Sequence, residues 1–255
     1  MRVPGPRFAD QIAVITGATD GIGLALADAL LAEGATVVGT GRDQGRLLEL
    51  ARRGAVALTL DLGEARDLEL VRAAVLDRFG RVDLLVNNAG QGLFAGWDQT
   101  SEADWRRLLE VNLMGAVRVT GALLPSMLSA RRGVVVNVAS VAGLNGYPEQ
   151  TAYCASKHAM LGWSRALGRE LAGSGVRVLT VCPPVVRTRF FERAGAPDFF
   201  DKYKRRPMSM EQAAAEILDA VARGASEAVL DRASWVAWAR GAVGVPLAEL
   251  RRLRR

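Results

Sequence analysis

Seven short apolar runs, spaced along the chain and separated by helical patterns, constrain the fold more than any other feature. They lie at Ile12–Thr16, Thr36–Thr40, Val56–Leu60, Leu84–Asn87, Val134–Val138, Val176–Val181 and Ala228–Leu230. Each is rich in Val, Ile and Leu and continuous rather than alternating, as expected of parallel strands buried on both faces. Between them, helical periodicity predicts helices over Ile22–Ala32, Arg46–Arg53, Leu68–Phe79, Glu102–Leu128, Ala152–Leu171 and Glu211–Arg223. This alternation predicts an α/β fold, an open, doubly wound parallel sheet of about seven strands with helices on both faces. Right-handed crossovers then place ligands at the carboxyl ends of the strands. With no repeat, low-complexity tract or linker in its 255 residues, the chain reads as one domain.

Composition narrows the partners. A formal net charge of +6 makes anionic partners worth testing. Most arginines, however, alternate with Asp and Glu and read as solvated faces; only Arg251-Arg252-Leu253-Arg254-Arg255 is a dense basic cluster. No nucleic-acid recognition motif accompanies it. Cys154 and Cys182 offer neither a disulfide framework nor metal-ligand spacing, so no metal is expected. Both thiols sit in apolar segments, which suits a reducing cytoplasm. The N-terminus lacks an apolar signal-peptide region, and no charge-free stretch of membrane-spanning length is mainly apolar; the expectation is a soluble, cytoplasmic protein.

Two clusters carry chemistry. The first strand runs into Thr16-Gly17-Ala18-Thr19-Asp20-Gly21-Ile22-Gly23, and a helix follows. Gly17, Gly21 and Gly23 permit a tight turn and close approach of a pyrophosphate to backbone N–H groups, while the helix N-terminus adds partial positive charge. The spacing, Gly-x-x-x-Gly-x-Gly, departs from the commoner dinucleotide fingerprint. Farther on, Tyr153 and Lys157 stand at i and i+4 and share one helix face. A phenol titrates near pH 10 in water, at about 10; an adjacent ammonium favours the phenolate and lowers that value. Such a pair can exchange a proton with an alcohol oxygen near neutrality. Ser140 can hold the same oxygen if the fold returns it to that face.

Taken together, Thr16-Gly17-x-x-x-Gly21-Ile22-Gly23, Asn87-Asn88-Ala89-Gly90, Asn112, Ser140 and Tyr153-x-x-x-Lys157 resemble the short-chain dehydrogenase/reductase family in order and spacing, over nearly the whole chain. The resemblance implies a Rossmann-type oxidoreductase that interconverts a carbonyl and an alcohol with NAD(P)H. By it, Tyr153 is the general acid/base, and Lys157 lowers its pKa and binds the nicotinamide ribose. Ser140 orients the substrate oxygen, Asn112 holds a water in a proton relay, and Asn87 supports the sheet. Dinucleotide contacts are implied for Gly17, Thr19, Asp20, Gly21, Ile22, Gly23, Asp61, Leu62, Asn88, Ala89, Gly90, Tyr153 and Lys157. Two other functions stay open: a 3-oxoacyl thioester reductase of lipid metabolism, and a catalytically silent dinucleotide-sensing scaffold. The second would need no acid/base pair.

Relatives that use NAD usually carry an acidic residue where Gly41 stands. Its absence, with Arg42 next to it, favours NADP(H), with NAD(H) as the alternative; Asp20 and Asp43 oppose that preference. The family's Pro-Gly-x-x-x-Thr loop becomes Pro183-Pro184-Val185-Val186-Arg187-Thr188, in which Pro184 fixes φ and removes an N–H. Pro183, Val186 and Thr188 keep the cofactor-facing positions. The long connection 183–207 holds Phe190, Phe191, Phe199, Phe200 and Tyr203, suited to a lid over an apolar substrate or to a short helical pair. Trp235 and Trp238 with Leu247, Leu250 and Leu253 suggest a helical tail at about 232–255 that covers the pocket rather than a membrane. His158, the only histidine, reads as a packing or interface residue. The helices Glu102–Leu128 and Ala152–Leu171 carry apolar residues on more than one face, which predicts a homodimer or homotetramer with Trp163 at the interface.

Overall fold

Continuous apolar runs bury both faces of a strand, and in the computed structural model the inner runs do so, whereas the edge run from Val56 is only partly buried. The structure is described for residues 6–62, 65–203 and 206–230. Strands β1 (Ile12–Ile15), β2 (Thr36–Gly41), β3 (Val56–Thr59), β4 (Leu84–Asn87), β5 (Gly133–Val138), β6 (Val176–Cys182) and β7 (Glu227–Val229) form one sheet in the order β3-β2-β1-β4-β5-β6-β7. All neighbours are parallel, in registers such as Ile12 beside Thr36 and Leu84 beside Val134. The order reverses between β1 and β4, and in such sheets the crevice beyond the carboxyl ends at that point receives the ligand.

Helices α1 (Gly21–Ala32), α2 (Gln44–Arg52), α3 (Ala65–Phe79), α4 (Glu102–Leu109), α5 (Gly115–Ala130), α6 (Thr151–Glu170), α7 (Phe190–Arg193), α8 (Phe199–Lys202) and α9 (Met210–Ala222) supply the crossovers and the cover. Two apolar cores result. On one face Leu26, Leu30, Ile217 and Leu218 pack against Ile15, Val37 and Val136. On the other Val71, Val75, Leu123 and Met127 pack against Val14, Leu85 and Val135. A buried Leu is worth roughly 2 kcal/mol over its exposed state, so these layers dominate the favourable side of folding.

One expectation fails. The pattern over Glu102–Leu128 predicts a single α-helix, but residues Glu110–Met114 form a π-turn between α4 and α5. The extra residue there shifts the phase of the helix and turns Asn112 fully inward. Periodicity does not reveal it, because both halves keep helical spacing on their own. The combined span Glu102–Ala130 is long and apolar enough to cross a membrane, yet Val119, Leu123 and Met127 bury one side of it on the sheet.

A polar chain crosses the core between these helices. Asn87 Nδ2 donates to Thr120 Oγ1 at 2.9 Å and to Asn137 Oδ1 at 2.8 Å, and Asn137 Nδ2 donates to Ser164 Oγ at 2.8 Å. It joins α5, β4, β5 and α6. The expected tail at about 232–255 lies outside the described residues.

Candidate active site

At the carboxyl ends of β1, β2, β4, β5 and β6 opens a cleft of about 1550 Å³. Its dinucleotide side is built by the turn after β1. Gly17 takes φ +65° and Gly21 +56°, which L side chains avoid, and a Cβ on Gly17 would meet Ala89 Cα at 2.9 Å. Thr16 Oγ1 accepts from Asn88 N (3.0 Å) and Ala89 N (3.1 Å), while Asn88 Nδ2 donates to the carbonyls of Thr16 (3.0 Å) and Gly17 (3.2 Å). The loop after β4 therefore braces the glycine turn from behind. Asp20 caps α1 by accepting from Gly21 N at 2.8 Å.

Most residues expected to hold a dinucleotide line this cleft: Gly17, Thr19, Asp20, Gly21, Ile22, Arg42, Asp61, Leu62, Asn88, Ala89, Gly90, Pro183, Val186 and Thr188, with Ser140, Tyr153 and Lys157. Gly23 does not. It sits beneath the turn, where a Cβ would overlap the Gly17 carbonyl, so its smallness serves helix–turn packing. Asn112 also lies behind the wall. Its Nδ2 donates to Gln91 O and Ser156 Oγ, both at 2.9 Å, and its Oδ1 accepts from Gln91 N at 2.7 Å. Its side chain has no proton left to offer. Any water relay at this residue must run through the main chain.

The absence of a side chain at residue 41 has a structural cause: a Cβ there would lie 2.6 Å from Thr19 Cγ2 and 2.9 Å from Thr19 Oγ1. Thr19 thus fills the place an acidic side chain would enter. After Pro184 the backbone stays pinned, with Met208 N donating to Val185 O and Arg187 N to Met208 O, both at 2.9 Å. The missing N–H of Pro184 disrupts neither bond.

Toward the substrate side, the end of β5 and the first turns of α6 bring the reacting groups together. The Tyr153 hydroxyl hydrogen-bonds to Ser140, whose Oγ also accepts from Ala142 N at 3.1 Å. Lys157 is buried with Nζ 5.9 Å from the centre of the Tyr153 ring and donates to Val138 O at 2.9 Å. Sequence reasoning expects the ammonium to pull the phenol down. Instead burial pushes Tyr153 up to about 12, only partly offset by the Ser140 bond. Burial likewise pushes Lys157 down to about 8. Each move favours the neutral form, because removing a charged group from water costs more than its few partners return.

Over these groups lies an aromatic cluster that composition foreshadowed without its geometry. The connection 183–207 contains the short helices α7 and α8. The Phe190 ring stands 5.5 Å from Tyr153 and presses on Gly92, where a Cβ would meet its Cζ at 2.5 Å. Phe191 stacks on Phe199 at 4.0 Å, Phe199 on Tyr203 at 5.3 Å, and Phe94 closes the edge. Gln91 and Gly92 escaped sequence reasoning; their place directly after Asn87-Asn88-Ala89-Gly90 was the available signal. His158 lies on the surface of α6, its Nδ1 2.9 Å from Cys154 O.

Comparison with known proteins agrees with this architecture. The short chain dehydrogenase family model matches residues 11–198. A putative ketoacyl reductase of Streptomyces coelicolor is 40% identical over 186 residues, which covers 70% of this chain and 71% of that protein. A short-chain dehydrogenase/reductase from Burkholderia phymatum in complex with NAD superposes with a TM-score of 0.80 at 28% identity, covering 91% of this chain and 92% of that one. The closed form of a serine dehydrogenase complexed with NADP+ gives 0.80 at 28% identity, over 86% and 94% of the two chains. Family model, relatives and fold agree, and this chain belongs to the short-chain dehydrogenase/reductase family of oxidoreductases.

Proposed function

We propose that this protein is an NADPH-preferring reductase of apolar ketones or aldehydes, reversible as an alcohol dehydrogenase. The observation that carries the reading is the Ser140–Tyr153 hydrogen bond at the foot of the cleft, with Lys157 buried beside it. The glycine cradle fits a dinucleotide, since Gly17 and Gly21 hold φ values that L side chains avoid and line the cleft at the N-terminus of α1, where backbone N–H groups can meet a diphosphate. Gly17 and Gly21 hold the diphosphate, Arg42 pairs with a 2′-phosphate, and Lys157 holds the nicotinamide ribose. The bound dinucleotide supplies or accepts the hydride at the carbonyl carbon.

Ser140 Oγ and the Tyr153 hydroxyl converge on one substrate oxygen and fix its place. Tyr153 gives that oxygen its proton during reduction. A phenol kept protonated by burial is ready to give its proton in the reductive step. Lys157, still largely charged at pH 7, stabilises the phenolate that remains and passes a proton back to it. Phe190, Phe191 and Phe199 exclude water from the reacting carbon and receive an apolar substituent. A π-turn leaves main-chain carbonyls free to accept, and those around Asn112 can serve a water relay to Lys157.

Exposed apolar surface supports an assembly, and the state of the cysteines supports a location. Gly121, Pro125 and Leu128 form an uncharged exposed stripe along α5, and Trp163 on α6 is only half-covered by Ala116, Met160 and Leu161. A homodimer or homotetramer that pairs these helices would cover both, and His158 would sit at its edge. Two buried free thiols suit the cytoplasm.

A second reading has its own support. The Streptomyces coelicolor relative is a putative ketoacyl reductase, and Arg107 and Arg206 rim the cleft, where they can meet an anionic carrier of a 3-oxoacyl thioester. Absorbance at 340 nm across ketones, aldehydes and 3-oxoacyl thioesters separates the two. Turnover of apolar ketones without a thioester supports the first reading, whereas turnover restricted to thioesters replaces it with the second. No turnover of either, with NADPH bound, would leave only the silent scaffold.

A further inference from the structure

An aspartate in an anion-binding turn is an electrostatic contradiction, and the structure shows how it is resolved. Asp20 caps α1 with one carboxylate oxygen. The other meets two guanidinium groups. Arg46, from the first turn of α2, donates at 3.0 Å, and Arg193, from the end of α7, makes a close ion pair with the same oxygen. Arg46 is also within 3.6 Å of Asp43. Without Arg193, Asp20 and Asp43 outnumber Arg46 and leave this cluster net negative, which opposes an anion. With it, two carboxylates face two guanidiniums and that opposition is cancelled.

Arg193 arrives from the other wall of the cleft, and both it and Asp20 line that cleft. The segment around it touches the glycine turn a second time, since a Cβ on Gly21 would meet Thr188 Cγ2 at 3.1 Å. The Thr188 hydroxyl accepts from Phe190 N at 3.2 Å and so starts α7 at that point. Phe190 and Arg193 stand three residues apart in the single turn of α7 and share a face. One reaches the Tyr153 ring and the other the glycine turn.

We propose that Arg193 is a dinucleotide-holding residue. Tethered by Asp20, it lays its guanidinium beside the diphosphate at the glycine turn, and the same seating of α7 sets Phe190 over Tyr153. The positive charge that the turn lacks in its own sequence is delivered from the substrate side of the cleft. Dinucleotide binding and closure of the aromatic pocket are then one event. This inference rests on reading the cleft as a dinucleotide site, and its test separates the two.

The probe is ADP-ribose, which carries the diphosphate and no nicotinamide, titrated by calorimetry beside NADPH, NADH and adenosine. Arg193→Ala should weaken ADP-ribose, NADPH and NADH by about tenfold each, since all three share the diphosphate and a charge-assisted bond is lost. Adenosine affinity should not change, which also reports that the variant is folded. Arg193→Lys should recover part of the loss by restoring charge without the fork. In Asp20→Asn, which removes the tether, a further Arg193→Ala change should cost clearly less than it does in the wild-type background. Unchanged ADP-ribose affinity in Arg193→Ala would overturn the proposal, as would a loss confined to NADPH. Failure of the unaltered protein to bind any of the three diphosphate ligands would instead sink the reading of the cleft.

Discussion

The two ends of the sheet bury charge in opposite ways. At the amino end Asp83, just before β4, is nearly enclosed and fully partnered. It accepts from Ile12 N at 2.9 Å, Arg81 Nε at 3.0 Å and Arg132 Nη2 at 2.5 Å. Burial would raise this carboxyl, but those bonds outweigh it and hold the group below the usual carboxylate range. At the carboxyl end Lys157 and Tyr153 are as deeply buried with far fewer partners, and both are pushed toward neutrality. One end closes its electrostatic account and serves cohesion. The other leaves it open, which is the condition for a proton to move at modest cost.

Substitutions that separate the two ends sharpen this contrast. The largest effect is expected from Tyr153→Phe, which keeps the ring against Phe190 and removes only the hydroxyl. Turnover should fall by at least about 10²-fold, the lower range for general acid–base catalysis, with melting temperature and NADPH affinity almost unchanged. Steady-state kinetics beside a thermal melt reads both, and near-normal turnover would break the comparison at its catalytic end. Asp83→Ala should do the reverse. Losing this carboxylate should cost about 3 kcal/mol of stability, the low end for breaking a buried pair because both arginines are half-exposed. Urea titration measures that loss, and NADPH affinity of the folded fraction should hold.

Smaller effects test the cofactor wall. Arg42→Ala should weaken NADPH by about tenfold and NADH very little, since one charge-assisted bond is removed. Gly41→Asp alone is a poor test because its Cβ would strike Thr19. The paired change Thr19→Ala with Gly41→Asp should open the space and move preference toward NADH. Tighter NADH binding by the unaltered protein would reverse the assignment. The gentlest probe is pH. Lys157 is charged below about 8 and loses its proton as pH rises through that value. Ketone reduction should therefore be roughly halved at pH 8 relative to its lower-pH plateau. In Lys157→Met that inflection should vanish along with most activity.

The fold was legible because its signals are local and repeated. Val134–Val138 announces a buried strand without help from its neighbours, and Gly17, Gly21 and the start of α1 announce a turn. Thr19 and Gly41 show the limit: each was visible, but only the sheet reveals that one fills the other's missing side chain. The same holds for Asn112, whose type was informative and whose depth came from a π-turn that periodicity cannot register. The direction of the Tyr153 shift is not legible from sequence, because a four-residue helical spacing says that two groups share a face and nothing about how much water reaches them. Arg193 was the least legible of all. Its partner Asp20 lies 173 positions away, and no spacing rule connects residues across a cleft.

The polar chain from Thr120 through Asn87 and Asn137 to Ser164 has a consequence for how the chain finds one arrangement among near neighbours. Its net contribution to stability is small, since hydrogen bonds within the protein largely replace those to water, and Asn87 Oδ1 has no partner among the described residues. Sliding β5 by one residue against β4, or α6 by a fraction of a turn, would keep much of the apolar burial. It would also strand several buried amide and hydroxyl groups at once, each at about 1–3 kcal/mol. The chain thus acts as a vernier between sheet and helices. It penalises a near miss that hydrophobic packing alone would tolerate, and that fixes Ser140, on β5's extension, against Tyr153, on α6, to within hydrogen-bonding distance.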